Sequence, residues 1–163
     1  TDDLLALASD VASEADGREM DQLLATGEQQ SVALLALALK QFGLPAQSFT
    51  AQQAGIRAKG FPMEGRIYRI EPDAVEKVRN EGTVAVITGF QAITDNGDVI
   101  TLGRGGPDLS AVALAAPLGA QSFRPLKDLN GAMTGDPPVL QHHRTLPPNA
   151  FAPRRRRAAK AAN

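Results

Sequence analysis

The chain has 163 residues, enough for one domain of ordinary size with a buried core. It is 43% hydrophobic and 21% charged but only 4% aromatic, so its core must be aliphatic. The absence of cysteine excludes disulfides, thiolate catalysis and zinc–thiolate sites. No apolar run is long enough to span a bilayer, and the chain opens with Asp2 and Asp3 instead of the basic start of a signal peptide. We therefore expect a soluble, cytoplasmic protein with no membrane association.

The net charge of −1 conceals an uneven distribution along the chain. Residues 1–138 carry 11 basic and 18 acidic groups, whereas residues 139–163 carry a net charge of +6. An acidic body argues against nucleic acid binding by the main domain. The basic tail, residues 148–163, is typical of a solvated, disordered segment, and a flexible arm for a phosphate backbone is the alternative.

The first 45 residues have the apolar spacing of helices. Residues 4–11 space their leucines, alanine and valine as an amphipathic helix. A second helical pattern follows Gly17, and we expect Thr26 and Gly27 to break it. Glu28 would then begin a further helical segment that stops at the sequence GLP.

The next part of the chain alternates between strand and helix patterns. Residues 32–39 are apolar almost all round, so we expect them to be buried between layers. The Asn-Gly turn in TDNGDV is expected to join the strand TVAVITGF to the strand VITLG. TVAVITGF lacks polar alternation, which is typical of a parallel sheet covered on both faces. The remaining predicted elements are strands at AQSFT and GRIYRIEP and a helix at DAVEKVRNEG. This order of elements predicts an α/β sandwich.

Residues 101–116, TLGRGGPDLSAVALAA, place a glycine loop (residues 103–106) between a strand and an apolar helix. The glycines permit close backbone approach or positive φ, and Arg104 offers a planar fork for a carboxylate or phosphate. Asp108 lies near the N-cap of the helix, whose amides would add to an anionic-ligand site. On spacing alone, a tight turn with Asp108 as a cap and Arg104 in solvent explains the same residues. The loop is neither a Walker A sequence nor a complete dinucleotide fingerprint.

Several stretches resemble the catalytic domain of aspartate kinases, in that family's order: REMDQLLATGEQQSVALLALAL, SFTAQQAGI, TVAVITGFQAIT and TLGRGGPDLSAVALAAPLGA. LKDLNGAMTGDPPV is similar to the family's nucleotide-binding stretch, T-D-V-x-G-V-Y-T-T-D-P-R. The resemblance covers residues 1–147. It implies the amino-acid kinase fold, a three-layer α/β sandwich with a largely parallel sheet between helices, here incomplete. It also implies phosphoryl transfer from ATP, with Mg²⁺, to L-aspartate, the entry to lysine, threonine and methionine biosynthesis.

The resemblance also implies a role for individual residues. Arg104 matches the arginine that grips the aspartate carboxylate, and Asp108 matches its partner for the amino end. Glu28 matches another substrate-side acid, Phe90 would line the aspartate pocket, and Thr50 occupies a substrate-side position. Taken alone, Glu28 is a helix-dipole partner and Phe90 a core residue. On the nucleotide side the matching residues are Lys127, Asp128, Met133 and Asp136.

The chain departs from the family pattern in several places. No K-x-G-G phosphate loop is present, and a central strand is expected to be missing with it. Self-association or a complementing kinase chain would cover the surface left open. Pro107, Leu109, Met133 and Pro138 replace residues that are usual in the family, which indicates a relaxed demand for catalysis. No metal site is expected at His142 and His143, because they are adjacent and no acid accompanies them. The tail after residue 147 matches neither the following family helix nor the ACT domains, and we interpret it as the result of a frame change.

Two functions of different classes remain open. One is an aspartate kinase-type phosphotransferase, impaired in this chain. The other is a non-catalytic remnant, or a module that binds aspartate and self-associates. The stretches TGEQQSVALLA and GRGGPDLSAVALAA resemble aspartate kinases more closely than glutamate, acetylglutamate or uridylate kinases.

Overall fold

The computed structural model describes residues 2–103, 105–124 and 126. The chain divides into two compact units, residues 1–123 and 124–163, and the fold described below is that of the first unit. The predicted domain boundary between residues 147 and 148 lies outside the described residues and stays a prediction. The elements are helices α1 (Asp2–Val11), α2 (Gly17–Gln41), α3 (Asp73–Asn80) and α4 (Gly106–Ala115), and strands β1 (Ala46–Phe49), β2 (Ile56–Lys59), β3 (Arg66–Ile70), β4 (Val84–Ile87), β5 (Gln91–Ile93) and β6 (Val99–Thr101).

The described strands form a two-stranded and a four-stranded sheet. β1 and β4 pair in parallel with Ala46 opposite Val84, so the predicted parallel pairing of β4 is confirmed. The strand order of the other sheet is β3-β2-β5-β6. Its central pair, β2 with β5, is parallel, and antiparallel pairs lie on either side of it.

The side chains of β4 divide between two apolar clusters. Val86 packs with Ala36 of α2 and Ala46 of β1, whereas Ala85 and Ile87 pack against the main core, to which α3 and α4 contribute. Because successive side chains of a strand point to opposite faces, α2 lies on one side of the sheets and α3 and α4 on the other. The predicted α/β class and three-layer arrangement are confirmed.

The predicted break in the second helix is wrong, because α2 runs without interruption through Thr26 and Gly27. A glycine inside a helix costs about 1 kcal/mol relative to alanine, which tertiary packing can offset. A Cβ at Gly27 would lie only 3.2 Å from Cδ1 of Leu4, so the missing side chain leaves room for α1. Glu28 therefore lies in the middle of α2 and not at a helix start.

The predicted strand TVAVITGF is shorter than expected. β4 ends at Ile87, the chain turns through Gly89 and Phe90, and the unpredicted strand β5 follows. The Asn-Gly turn therefore joins β6 to β5 and not to β4. At this turn Gly97 has a φ of 89°, and its N–H donates to the carbonyl of Thr94 at 3.0 Å. β2 was also missed, because its four residues carry little pattern.

The expectation that residues 32–39 are buried between layers is wrong for the described part of the chain, whereas β4 is covered on both faces except at Val84. Leu34, Leu35 and Leu37 are 67%, 53% and 63% exposed, and Val84 of β4 is 42% exposed. The β1–β4 sheet packs against one face of α2, at Ala36, and the described residues supply no layer against the leucines. None of the helices described is both long and apolar enough to cross a membrane.

Candidate functional site

The glycine loop connects the end of β6 to the start of α4. Gly105 is the N-cap residue of α4 and has a φ of 83°, in the left-handed region that favours glycine. Gly106 is buried, and a Cβ there would lie 2.8 Å from Cδ2 of Phe90 and 3.1 Å from Cβ of Leu102. The loop thus uses one glycine for its backbone angle and another for close packing.

The first turn of α4 has fewer open amides than the sequence predicts. The N–H of Gly106 donates to the carbonyl of Gly103 at 3.0 Å, and Pro107 has no N–H. Asp108 is the acidic residue of this turn and its side chain is exposed. An anion at this helix end would therefore depend on side-chain charge more than on the first amides.

Phe90 lies against the glycine loop in a strained backbone conformation. Its φ of 64° is rare for a bulky residue and persists only where surrounding contacts hold it. Its N–H donates to Oγ of Ser110 at 3.1 Å, and its carbonyl accepts from the N–H of Leu102 at 2.7 Å. The buried Ser110 hydroxyl in turn donates to the carbonyl of Gly106 at 2.8 Å. The turn between β4 and β5 (residues 88–90), which we call the Phe90 turn, is therefore joined by hydrogen bonds to the end of β6 and the first turn of α4.

Thr50 and Thr88 follow the carboxyl ends of the parallel strands β1 and β4, where α/β sheets place ligands. Oγ1 of Thr50 accepts from the N–H of Gln53 at 3.3 Å, so the Thr50 hydroxyl already holds its own turn. The N–H of Thr88 donates to the carbonyl of Phe49 at 3.0 Å. The side chain of Thr88 is fully buried, and Oγ1 has no hydrogen-bond partner among the described residues. Sequence reasoning missed Thr88, whose only signal is its place between an apolar strand and a Gly-Phe turn.

Glu28 is half-buried in the middle of α2. It lies three residues after Ala25, whose carbonyl accepts from Nε2 of the buried Gln91 at 3.1 Å. Residues three and four apart share a helix face, so Glu28 follows Ala25 on this face. Gln91 directly follows Phe90 and is the first residue of β5. The face of α2 that carries Ala25 therefore lies beside the start of β5.

The structure therefore brings together Phe90, the glycine loop and the start of α4 that carries Asp108. Glu28 and Thr50 lie on elements adjoining the same sheets, without a direct contact to Phe90 or Asp108 among the interactions described above. Arg104 lies outside the described residues. The predicted nucleotide-side residues also lie outside them: Lys127, Asp128, Met133 and Asp136.

A cavity of about 470 Å³ elsewhere on the unit has a charged lining that includes Arg18, Lys59, Asp95 and Asp98. Arg18 pairs with Asp98 at 2.7 Å, and Nζ of Lys59 lies 3.6 Å from Oδ2 of Asp95. The hydroxyl of Tyr68 donates to Asp95, which lowers the pKa of that carboxyl and raises the pKa of Tyr68. These opposite charges satisfy one another, so the cluster is typical of a solvated surface.

The sequence model of the amino acid kinase family matches residues 1–149 of the chain. Among curated relatives, the aspartokinase of Bacillus sp. (strain MGA3) is 44% identical over 146 residues. The aspartokinase of Thermus thermophilus is 43% identical over 146 residues. Each match covers 90% of this chain and 36% of the relative, so the chain spans about a third of the length of these relatives.

Solved structures give the same result. The aspartate kinase from Synechocystis superposes with a TM-score of 0.67 at 40% identity, over 88% of this chain and 23% of that chain. E. coli aspartokinase III in complex with aspartate and ADP superposes with a TM-score of 0.66 at 26% identity, over 89% of this chain and 33% of that chain. These matches confirm the resemblance and the fold predicted from the sequence motifs.

Proposed function

The chain belongs to the amino acid kinase family, and from that membership we propose that it carries the substrate side of an aspartate kinase. In the proposed reaction a side-chain carboxylate oxygen of L-aspartate attacks the γ-phosphorus of ATP. The bond between that phosphorus and the bridging oxygen of ADP breaks, which gives 4-phospho-L-aspartate and ADP. The similarity to curated aspartokinases supports this substrate class.

The observation that carries the proposal is the packing of Phe90 against the glycine loop. A strained aromatic residue, held by Ser110 and Leu102, packs against the glycine loop just before the helix turn that carries Asp108. A backbone conformation of this kind costs about 1–3 kcal/mol, and such conformations are frequent at ligand-binding sites, where a fixed geometry is useful.

Both reactants are anionic, so the site has to neutralise charge and hold the reacting atoms in line. We assign this work on the aspartate side to Arg104, whose planar guanidinium suits two hydrogen bonds to a carboxylate. Asp108 would accept from the amino group of the substrate. Glu28 would supply a second acidic side chain near the amino group of the substrate. Phe90 would exclude water from the aspartate pocket.

The nucleotide side of the proposal is assigned to Lys127, Asp128, Met133 and Asp136. The described residues contain no group of three or more acidic or histidine side chains that could hold a metal ion. Mg²⁺ is proposed to arrive bound to the ATP phosphates, where it would neutralise part of their charge. We propose that a complementing kinase chain holds those phosphates, in the cytoplasm, because residues 1–163 contain no K-x-G-G sequence.

The second candidate is an aspartate-binding module that self-associates without turnover. The exposed leucines of α2 favour it, because 53–67% exposure of three neighbouring leucines is unusual unless another surface covers them. The first turn of α4 favours it as well, since Pro107 and the bonded Gly106 amide leave fewer donors for a developing charge.

ADP release measured with L-aspartate, with L-glutamate and with no acceptor separates these functions. The kinase proposal predicts release that depends on L-aspartate. The module predicts calorimetric binding of L-aspartate with no release. Release with L-glutamate alone would place the chain in another branch of the family, and no binding of either amino acid would contradict both proposals.

A further inference from the structure

Asp21 is a buried acidic residue that no part of the proposed function uses. Its side chain is 1% exposed, and it lies in the first part of α2. Burying a carboxylate costs several kcal/mol unless hydrogen bonds compensate for the lost water. The N–H of Met63 donates to both Oδ1 and Oδ2 of Asp21, with 3.1 Å from the nitrogen to each oxygen, and the hydroxyl of Thr101 donates to Oδ1 at 2.5 Å. Both partners are distant in sequence, so Asp21 joins three separate segments.

Met63 belongs to the loop between β2 and β3, which we call the Met63 loop (residues 60–65). Met63 has a φ of 64°, an unusual value for a residue with a side chain. The N–H of Gly65 donates to the carbonyl of Thr101 at 2.9 Å, and a Cβ at Gly103 would lie 3.5 Å from the carbonyl oxygen of Met63. The Met63 loop therefore packs directly against the entry to the glycine loop.

Thr101 is the last residue of β6, two residues before the glycine loop begins. In the antiparallel pair of β5 and β6, Thr101 lies opposite Gln91. Gln91 donates to the carbonyl of Ala25, one helical turn after Asp21. The helix thus holds two opposed residues, one leading into the glycine loop and the other leading out of the Phe90 turn.

We propose that Asp21 is a positioning residue that sets the glycine loop against α2 and the Phe90 turn. Its hydrogen bonds to Thr101 and Met63 fix the position of the last residue of β6 relative to α2. The position of Thr101 in turn sets the path of the chain into residues 103–106. The consequence for aspartate rests on the proposed function, because it requires that Arg104 and Asp108 meet the substrate. The geometric consequence for the loop does not rest on it.

Asp21→Asn tests this role with little change of volume. An amide oxygen at the Oδ1 position can still accept from Thr101, but the NH2 group at the Oδ2 position then faces the N–H of Met63, and two donors cannot bond. Thr101→Val replaces the hydroxyl by a methyl group of similar size and suits a strand, so it provides a second variant that removes only the bond from Thr101. Asp10→Asn, on an exposed position of α1, is the matched control.

The readouts on the 163-residue chain are amide hydrogen exchange by segment and calorimetric affinity for L-aspartate. We expect exchange in residues 101–106 to accelerate about tenfold in both Asp21→Asn and Thr101→Val, with β1 and β4 unchanged. We expect L-aspartate affinity to fall at least about fivefold in the same variants, and neither quantity to change in Asp10→Asn.

Equal acceleration in all segments would mean that Asp21 only stabilises the fold, and unchanged exchange would mean that it does not hold the loop. Either result overturns the proposal. If Asp21→Asn does not fold, Thr101→Val decides between the same outcomes. If the unsubstituted chain does not bind L-aspartate, the proposed function fails, while the exchange data still decide whether Asp21 positions the loop.

Discussion

Gly106→Ala is the sharpest test of the packing between Phe90 and the glycine loop. The new Cβ would lie 2.8 Å from Cδ2 and 3.3 Å from Cα of Phe90, and 3.1 Å from Cβ of Leu102. The ring cannot withdraw with its backbone, because Ser110 and Leu102 hold the Phe90 main chain. Overpacking costs about 1–3 kcal/mol, and the lower entropy of the unfolded alanine chain returns about 0.4–1 kcal/mol. We expect the free energy of unfolding to fall by roughly 1–2 kcal/mol.

The measurement is urea unfolding followed by far-UV circular dichroism. Gly103→Ala is the matched control in the same loop, because its Cβ would lie 3.5 Å from the carbonyl oxygen of Met63, an ordinary contact. In the Phe90→Ala background the added methyl group meets no ring, so Gly106→Ala should cost less there than in the unsubstituted chain. If the cost is the same in both backgrounds, or if Gly103→Ala costs as much, the reasoning about this contact is refuted.

Three further predictions test separate parts of the account. Ser110→Ala leaves the N–H of Phe90 without its acceptor and should lower the free energy of unfolding by about 1–3 kcal/mol in the same urea assay. An unchanged stability would show that the Ser110 hydroxyl does not hold the Phe90 main chain. Leu35→Glu, at an exposed position of α2, should change stability by less than about 0.5 kcal/mol but weaken self-association in sedimentation velocity; an unsubstituted chain that stays monomeric would rule this out. Tyr68→Phe should return the pKa of the Asp95 carboxyl toward its ordinary value in an NMR titration, because the Tyr68 hydroxyl is the main cause of its lowering. The contribution of that bond is present above the ordinary carboxyl pKa and is lost as the pH falls through the lowered pKa of Asp95, so an unchanged titration after Tyr68→Phe would contradict it.

Local sequence signals predicted the elements whose residues share one pattern over several turns or a full strand. β3, α3 and the parallel strand β4 were found because alternation, a proline-led start and an unbroken apolar run act within each segment. The continuity of α2 was missed because it depends on α1: Gly27 reads as a break until Leu4 is seen packed against it. β2 and β5 have only four and three residues, too few for a period to be distinguished from chance.

The residues of the candidate site also fall into those that local sequence patterns indicate and those that depend on contacts across the fold. The glycine loop was visible as a motif, since glycines, an arginine and an acid at a helix start imply a backbone-lined anion site. Phe90 came from the family resemblance, because its place beside Gly106 depends on a contact across the fold. Asp21 and Thr88 were not predicted, because neither an acid within a helix nor a threonine after a strand reveals its burial or its distant partners.

Calorimetric titration of the 163-residue chain with L-aspartate, before and after Arg104→Ala, tests the central claim most directly. Arg66→Ala, at an exposed position of β3, is the control for loss of one positive charge. Charge-assisted hydrogen bonds contribute about 1.5–3 kcal/mol, so we expect Arg104→Ala to weaken binding by roughly 10- to 100-fold and Arg66→Ala to leave it unchanged. Equal affinity in all three proteins would contradict the assignment of the aspartate site to the glycine loop.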